Sequence, residues 1–249
     1  MIFLKSPWEM ELLRISNRIA AEALTEIGKL IEPGVTTLDL DRFAEEFVRK
    51  RGARPAFKGY NDYPNTLCTS VNEAVIHGIP SSQRLKEGDI ISIDIGTIFS
   101  GYYGDAAITV PVGSVCDEAK KLLEVTEKAL LRAIGKAVPG NRVSDISHAI
   151  EESVEGNGMH VVRAFVGHGI GKALHEEPQI PNFGPPGKGP LLRLGMVLAI
   201  EPMVNLGTSD VMILEDRWTA ITKDHSLSAH FEHTVALTEE GPEILTAMD

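Results

Sequence analysis

The chain has 249 residues, of which 43% are hydrophobic and 24% charged, and its formal net charge is −11. This composition excludes a disordered or collagen-like chain, and so acidic a protein is a poor general binder of nucleic acid or anionic membrane. Two cysteines are too few for a disulfide framework, and no apolar run approaches the roughly 18 residues of a membrane span, so we expect a cytoplasmic protein without a membrane segment.

Two helices are predicted in the first 50 residues. The first covers residues 6–31, where Ser6 and Glu9 have the spacing of a capping box and apolar residues recur at helical intervals. Pro33-Gly34 ends it. Thr37 begins the second helix, which extends to about Lys50.

The rest of the chain alternates strands and helices. Strands are predicted at 66–77, 90–98, 101–112, 159–166, 196–204 and 229–238, and helices at 117–137 and 143–156. The segment 176–190 is rich in proline and glycine and is predicted to be an ordered loop. The two strands at 90–112 are expected to form a hairpin.

The second half of the chain repeats the first, which is the most informative feature of the sequence. Six short matches occur in the same order, among them Ile-Gly-Lys before Pro-Gly at residues 27–29 and 134–136. Each half contains two helices, a strand leading to His-Gly-Ile, and two strands that each carry one acid. The sequence thus predicts an α+β fold in one domain, 1–249, with halves at about 6–112 and 113–243.

A duplicated chain of this kind folds into two halves around a pseudo-twofold axis, where equivalent residues face each other. Three equivalent pairs carry chemical groups: Asp94 with Glu201, Asp105 with Glu232, and His77 with His168. Carboxylates held a few ångströms apart raise each other's pKa values strongly, unless a cation neutralises them. Four carboxylates and few imidazoles suit a pair of divalent ions.

Each of these residues taken alone has an ordinary structural explanation. Asp105 follows a glycine and is a typical turn residue, and Glu232 could face solvent. Glu201 is harder to explain in this way, because it interrupts an apolar run and precedes Pro202. The sequence lacks the H-E-x-x-H motif of zincins and the G-x-S-x-G motif of serine hydrolases. The prediction therefore depends on the set rather than on any one member.

In its order of residues and its local motifs, the chain resembles the methionine aminopeptidases, which have the pita-bread fold. The similar segments are N-E-A-V-I-H-G-I-P, S-I-D-I-G, Y-Y-G-D-A-A-I-T, G-H-G-I-G, L-H-E-E-P, A-I-E-P-M and F-E-H-T. The resemblance extends from about Ser6 to Glu243, and the short distance from His175 to Glu201 is similar to that of the bacterial class I form. It implies duplicated helix-helix-strand halves, a curved antiparallel sheet and a pseudo-twofold axis.

The resemblance also implies a role for each residue of the site. The metal ligands would be Asp94, Asp105, His168, Glu201 and Glu232, holding two divalent ions, for which Co²⁺, Mn²⁺, Fe²⁺, Zn²⁺ and Ni²⁺ all remain open. The catalytic residues would be His77, His175 and Glu201, with both histidines contacting the peptide. The pocket for the N-terminal side chain would be lined by Tyr60, Tyr63, Cys68, Leu174 and Trp218.

The implied activity is removal of the N-terminal methionine from nascent polypeptides, with a preference for a small second residue. The implied setting is a cytoplasmic monomer near the ribosome exit region, with no membrane and no sequence-specific nucleic acid as partners. Two positions depart from the family pattern: Leu174 is usually aromatic and His230 is usually glutamine. A proline-specific dipeptidase or aminopeptidase of the same fold is the alternative enzyme, and a non-catalytic protein- or RNA-binding module is the alternative outside catalysis.

Overall fold

The computed structural model describes residues 1–248 and contains four α-helices within them. They are α1 Pro7–Gly28, α2 Thr37–Lys50, α3 Asp117–Ile134 and α4 Val143–Glu155, and a single 3-10 turn covers Tyr60–Asp62. The predicted capping box begins α1, since Ser6 Oγ accepts from the Glu9 amide and the Glu9 carboxylate accepts from the Ser6 amide. None of the helices in this part of the chain is both long and apolar enough to cross a bilayer.

Fifteen strands are found among the described residues, and most of them belong to one curled antiparallel sheet. They are β1 Arg54–Pro55, β2 Leu67–Val71, β3 Ala74–Ile76, β4 Ile90–Phe99, β5 Tyr102–Pro111, β6 His160–Val161, β7 Val166–Gly169, β8 Glu176–Pro181, β9 Val197–Ile200, β10 Met203–Asn205, β11 Val211–Ile213, β12 Ala220–Thr222, β13 Ser228–His230, β14 Glu232–Thr238 and β15 Gly241–Ile244.

The central sheet has the order β1-β4-β5-β14-β9-β7-β8, with β2 paired to β4 and β15 paired to β14. Two three-stranded sheets, β13-β10-β6 and β11-β12-β3, complete the fold. The long hairpin β4–β5 of the first half therefore lies directly beside β14 and β9 of the second half. The predicted fold class, with duplicated halves that share an antiparallel sheet, is confirmed.

The two halves meet where β5 pairs with β14. Glu232 lies opposite Ala107, and His233 lies opposite Ala106. In the repeat, Glu232 corresponds to Asp105 and Ala107 corresponds to Thr234. A twofold relation between the halves therefore requires Thr234 to lie opposite Asp105, and Thr234 Oγ1 donates a hydrogen bond to the Asp105 carbonyl at 2.8 Å. The pseudo-twofold axis therefore passes near the Ala106–His233 pair, with Asp105 and Glu232 at equivalent places on either side.

Each half has its own apolar core, in which its two helices pack against its strands. Ile27 of α1, Leu40 of α2 and Ile93 of β4 belong to the first core. Leu130 of α3, Ile150 of α4 and Leu198 of β9 belong to the second. Packing of the apolar face against the sheet supplies most of the stability of amphipathic helices.

Helix α1 approaches β5 so closely that only glycine fits at the residue before Asp105. A Cβ atom on Gly104 would lie 2.7 Å from the Asn17 amide nitrogen. The Asn17 side chain also accepts a hydrogen bond from the Asp105 amide at 3.1 Å. The first helix thus fixes the backbone position of one of the predicted site acids.

Several details of the sequence prediction are wrong. The segment predicted as a loop at 176–190 begins with strand β8, which pairs with β7. The strand predicted at 66–77 is divided into β2 and β3 by a turn at Asn72, which has a φ of 54°. The strands predicted at 159–166, 196–204 and 229–238 are likewise each two shorter strands in different sheets: β6 and β7, β9 and β10, and β13 and β14.

The expected equivalence of His77 and His168 is also wrong. His168 lies in β7, next to β9 in the central sheet, and the strand in the corresponding place of the first half is β2, next to β4. His77 follows β3, which belongs to a separate small sheet. The short sequence match around the two histidines therefore does not reflect matching positions in the fold.

Candidate metal centre

The register of the central sheet places all four predicted acids on one face. Asp94 in β4 and Glu232 in β14 are both opposite Ala107 of β5. Side chains alternate along a strand, so Asp105, two residues from Ala107, points to the same face. The pairing of Ile200 with His233 continues to Glu201 beside Glu232. Four carboxylates from two halves of the chain thus converge.

His168 joins these acids from the next strand. It lies opposite Ala199 of β9, and its Nε2 is 3.8 Å from Asp105 Oδ2 and 3.6 Å from Glu201 Oε1. Its Nδ1 is 2.9 Å from the Gly169 carbonyl, so the neutral ring donates there and keeps a free lone pair on Nε2. This is the arrangement typical of metal-ligating histidines.

The electrostatics of the cluster favour a cation. Burial raises the pKa of Asp94 to about 7, and burial together with the neighbouring carboxylates raises the pKa values of Asp105, Glu201 and Glu232 well above their usual range. Burial lowers the pKa of His168 to about 3, which keeps its ring neutral.

Unpaired oxygen atoms in this cluster support the same conclusion. Among the residues that the structure describes, the buried atoms Asp94 Oδ1, Asp105 Oδ1 and Glu232 Oε1 have no hydrogen-bond partner. Ligand atoms of Asp105, His168 and Glu232 lie within 4.8 Å of one another. Buried polar atoms without partners are costly, and an oxygen-rich set with one imidazole suits divalent ions. The residues therefore fit a metal centre.

A cavity of about 320 Å³ opens over this cluster. Every residue that the sequence analysis assigned to the site borders it: Tyr60, Tyr63, Cys68, His77, Asp94, Asp105, His168, Leu174, His175, Glu201, Trp218 and Glu232. We call the four carboxylates the floor of this cavity, and the mostly apolar and aromatic side chains that line the rest of it the walls. Such a cavity can take an apolar side chain beside a polar reacting group.

Two histidines lie on the walls of the cavity. His175 is in the loop between β7 and β8; its ring centre is 4.4 Å from that of His168, and its Nδ1 is 2.7 Å from Tyr60 Oη. Burial lowers the pKa of His175. His77 has a φ of 60°, packs edge-on against Trp218, and has a pKa lowered by burial to about 4.

Several residues that line the cavity were not among the predicted site residues. The aromatic side chains of Phe57 and Phe165 line it, and Phe165 packs edge-on against His77 with ring centres 5.6 Å apart. Phe165 comes three residues before His168, so its position close to a predicted ligand was an available signal. Phe57 had no such signal, because its place depends on the contact between the segment after β1 and Gly96.

His230, which stands where the family pattern has glutamine, also lies at the site. Its ring is 2% exposed, and its Nε2 is 3.7 Å from Glu201 Oε2. Burial lowers the pKa of His230 to about 3. Neighbouring His233 points elsewhere, with its Nδ1 2.8 Å from Thr246 Oγ1, and His225 is exposed. Of this histidine group, His230 is the one that contacts a predicted ligand.

Removing metal should make stability depend on pH through Asp94. Its pKa is about 7 in the folded metal-free protein, against 3.8 ordinarily. Between these values the folded state binds more protons than the unfolded state, so the free energy of unfolding falls as the pH rises through this interval. We expect Asp94→Asn to reduce this slope, measured by urea denaturation of chelator-treated protein.

Asp62→Asn is the matched control for this experiment, because it makes the same change at an exposed acid near the cavity. We expect its slope to equal that of the wild type. An unchanged slope in Asp94→Asn would show that Asp94 is not held in the buried, protonated state.

Comparison with known proteins agrees with this geometry. The sequence profile described as "Metallopeptidase family M24" matches residues 11–239. The chain is 55% identical to methionine aminopeptidase 1 of Bacillus subtilis (strain 168) over 246 residues, covering 99% of each chain. It superimposes on the crystal structure of methionine aminopeptidase from Thermotoga maritima with a TM-score of 0.98 and 49% identity, covering all of both chains. The prolidase from Pyrococcus furiosus is more distant: TM-score 0.78, 25% identity, 99% of this chain and 66% of that one.

Proposed function

The chain belongs to metallopeptidase family M24, among its methionine aminopeptidases, and we propose that the cluster of five ligands described above is where it removes the N-terminal methionine from polypeptides. The observation that carries this proposal is the convergence of four carboxylates, two buried and two half-buried, and a neutral imidazole beneath a largely apolar cavity. The proline-specific alternative has only the more distant structural likeness in its favour.

We infer that Asp94, Asp105, His168, Glu201 and Glu232 would hold two divalent ions. Asp105 and Glu232 occupy equivalent places on either side of the pseudo-twofold axis, so each half of the chain would contribute ligands. Family membership supports a divalent metal, and the ligand set is compatible with Co²⁺, Mn²⁺, Fe²⁺, Zn²⁺ or Ni²⁺. When bound, the ions lower the pKa of water enough to supply a nucleophile at neutral pH.

The proton transfers are assigned to Glu201. Its carboxylate lies at the cavity floor beside His168 and His230. We propose that Glu201 takes the proton of the attacking water and delivers it to the leaving amine, as a positioned acid–base group does. His230, buried and neutral, lies with its Nε2 3.7 Å from Glu201 Oε2 and is the imidazole next to this carboxylate besides His168.

The histidines on the walls are assigned to the substrate. Tyr60 Oη and His175 Nδ1 are hydrogen-bonded; in the tautomer that accepts from the Tyr60 hydroxyl, neutral His175 carries its proton on Nε2 and can donate it to the oxyanion that develops on the scissile carbonyl. His77, held between Phe165 and Trp218, is positioned to contact the peptide.

The apolar wall is assigned to the methionine side chain. Tyr63, Cys68, Leu174 and Trp218 border the cavity, and Tyr63 packs edge-on against Trp218 with ring centres 5.0 Å apart. Position 174 is usually aromatic in the family and is leucine here. Phe57, which belongs to the same apolar cluster as Leu174, supplies an aromatic side chain in its place. Aromatic edges suit a thioether sulfur, so the cavity is chemically matched to methionine.

We further propose that residues 1–249 act as a single catalytic domain, monomeric in the cytoplasm, on nascent chains near the ribosome exit. The acidic net charge speaks against sequence-specific nucleic acid binding and against a membrane surface as partner.

The substrate test compares peptides on the same metal-loaded protein. We expect Met-Ala-Ser to be cleaved after methionine, Met-Leu-Ser far more slowly, and an x-Pro dipeptide not at all. Released amino acids measured by mass spectrometry give kcat/KM for each. Preference for the x-Pro dipeptide would favour the proline-specific alternative, and equal rates on the first two peptides would contradict the small-residue rule.

The ligand test uses Asp94→Asn. Replacing a charged ligand with an amide should reduce bound metal and lower kcat by orders of magnitude, because the metal-dependent nucleophile is lost. Metal content is measured beside the kinetics, with exposed Asp62→Asn as the charge-matched control. Wild-type turnover and full metal content in Asp94→Asn would remove Asp94 from the ligand set.

The test of His175 separates a substrate contact from a ligand. We expect His175→Ala to retain wild-type metal content and to lower kcat by about 10²–10³-fold, the range observed when one oxyanion donor is removed. Loss of metal from His175→Ala would instead make His175 a ligand.

A further inference from the structure

A buried ion pair ties the N-terminal segment to the loop that carries His175. Lys5 Nζ lies 2.5 Å from Glu176 Oε2, and the two side chains are only 5% and 8% exposed. Lys5 is 171 residues away from Glu176 in the chain, so the pair joins two elements that are far apart in sequence. The loop between β7 and β8, residues 170–175, ends directly at this contact.

Glu176 also forms hydrogen bonds with the start of the same loop. Its Oε1 accepts hydrogen bonds from the amides of Lys172 and Ala173, at 2.8 and 3.3 Å. The same carboxylate therefore bonds the start of the loop with one oxygen and Lys5 with the other. Leu174 and His175, which border the cavity, are the two residues enclosed between these contacts.

The lysine in turn is fixed by its own backbone and by close packing. The Lys5 amide donates to the Gly195 carbonyl at 2.7 Å, which anchors it to the turn before β9. A Cβ atom on Gly171 would lie 2.5 Å from Lys5 Nζ and 2.6 Å from Glu176 Oε1. There is thus no space for either charged group to move towards the loop.

We propose that Lys5 and Glu176 are positioning residues: their buried ion pair holds the loop so that His175 meets the substrate carbonyl and Leu174 closes the methionine pocket. Buried ion pairs contribute little net stability compared with apolar replacements, so stability alone does not account for this pair. Because a misplacement of about 1 Å can cost about 10²-fold in rate, holding the loop matters for kcat. The inference rests on the proposed role of His175.

The loop also offers a matched control. Lys172, on the same loop, pairs with Glu9 at 3.1 Å, but its side chain is 68% exposed. Exposed pairs of this kind contribute little to stability. Replacing Lys5 or Lys172 therefore compares the loss of a buried ion pair with the loss of an exposed one at the same loop.

The experiment measures kcat, KM, metal content and melting temperature of Lys5→Met, Gly171→Ala and Lys172→Met on Met-Ala-Ser. We expect kcat to fall about 10- to 100-fold in the first two variants, by misplacement of His175, with metal content unchanged. Gly171→Ala disturbs the pair without removing a charge. Lys172→Met should stay near wild type.

The double variant Lys5→Met/Glu176→Gln separates positioning from stability. Neutral replacement of both partners should restore the melting temperature lost in Lys5→Met, while kcat stays low because the ion pair that ties the loop to the N-terminal segment is absent. Recovery of kcat together with the melting temperature would overturn the inference. Amide hydrogen exchange of metal-free Lys5→Met gives a readout independent of activity, and we expect faster exchange in residues 171–176.

His175→Ala measured in parallel distinguishes the two ways of failing. If His175→Ala lowers kcat and Lys5→Met does not, the positioning inference is wrong and the proposed role of His175 stands. If His175→Ala itself leaves kcat unchanged, the role of His175 is wrong, and the positioning inference fails with it.

Discussion

The mutual repulsion of four carboxylates on one buried sheet face is the constraint on which the rest of the structure depends. Asp94, Asp105, Glu201 and Glu232 are brought together by strand register rather than by flexible loops, so they cannot separate to relieve their charge. Their raised pKa values express this constraint in the metal-free protein. The apolar cores of the two halves supply the rigidity that keeps them in place, and bound divalent metal, as proposed above, would neutralise the repulsion.

The duplicated pattern made most of this arrangement predictable. Helix caps, the strands with single acids and the order of the repeats come from local sequence, and together they were enough for the fold class and for the four acids. The apolar and aromatic residues predicted at the cavity came from the resemblance to the methionine aminopeptidases. The short match around His77 and His168 misled, because similar tripeptides occur in strands of different sheets. Local similarity cannot show which neighbouring strand a segment pairs with.

Residues that depend on tertiary contacts could not be predicted in this way. Phe57 reaches the cavity because its segment packs on Gly96, and β8 forms from a proline-rich segment because β7 offers it an edge. Lys5 had no sequence signal at all, since its importance comes from a carboxylate 171 residues later. The acids repeat in the sequence and could be found, whereas the residues that support them do not repeat.

The pairing of β5 with β14 has a consequence for the order of events during synthesis. A chain made from its N-terminus contains Asp94 and Asp105 long before Glu201 and Glu232 exist, and contacts of such large sequence separation form late in folding. The first half alone presents two carboxylates and no neighbouring imidazole from β7. With the proposed ligand set, a half-made chain therefore lacks two of its four acids and His168, and a peptidase of this design would stay inactive until nearly all of it has been synthesised.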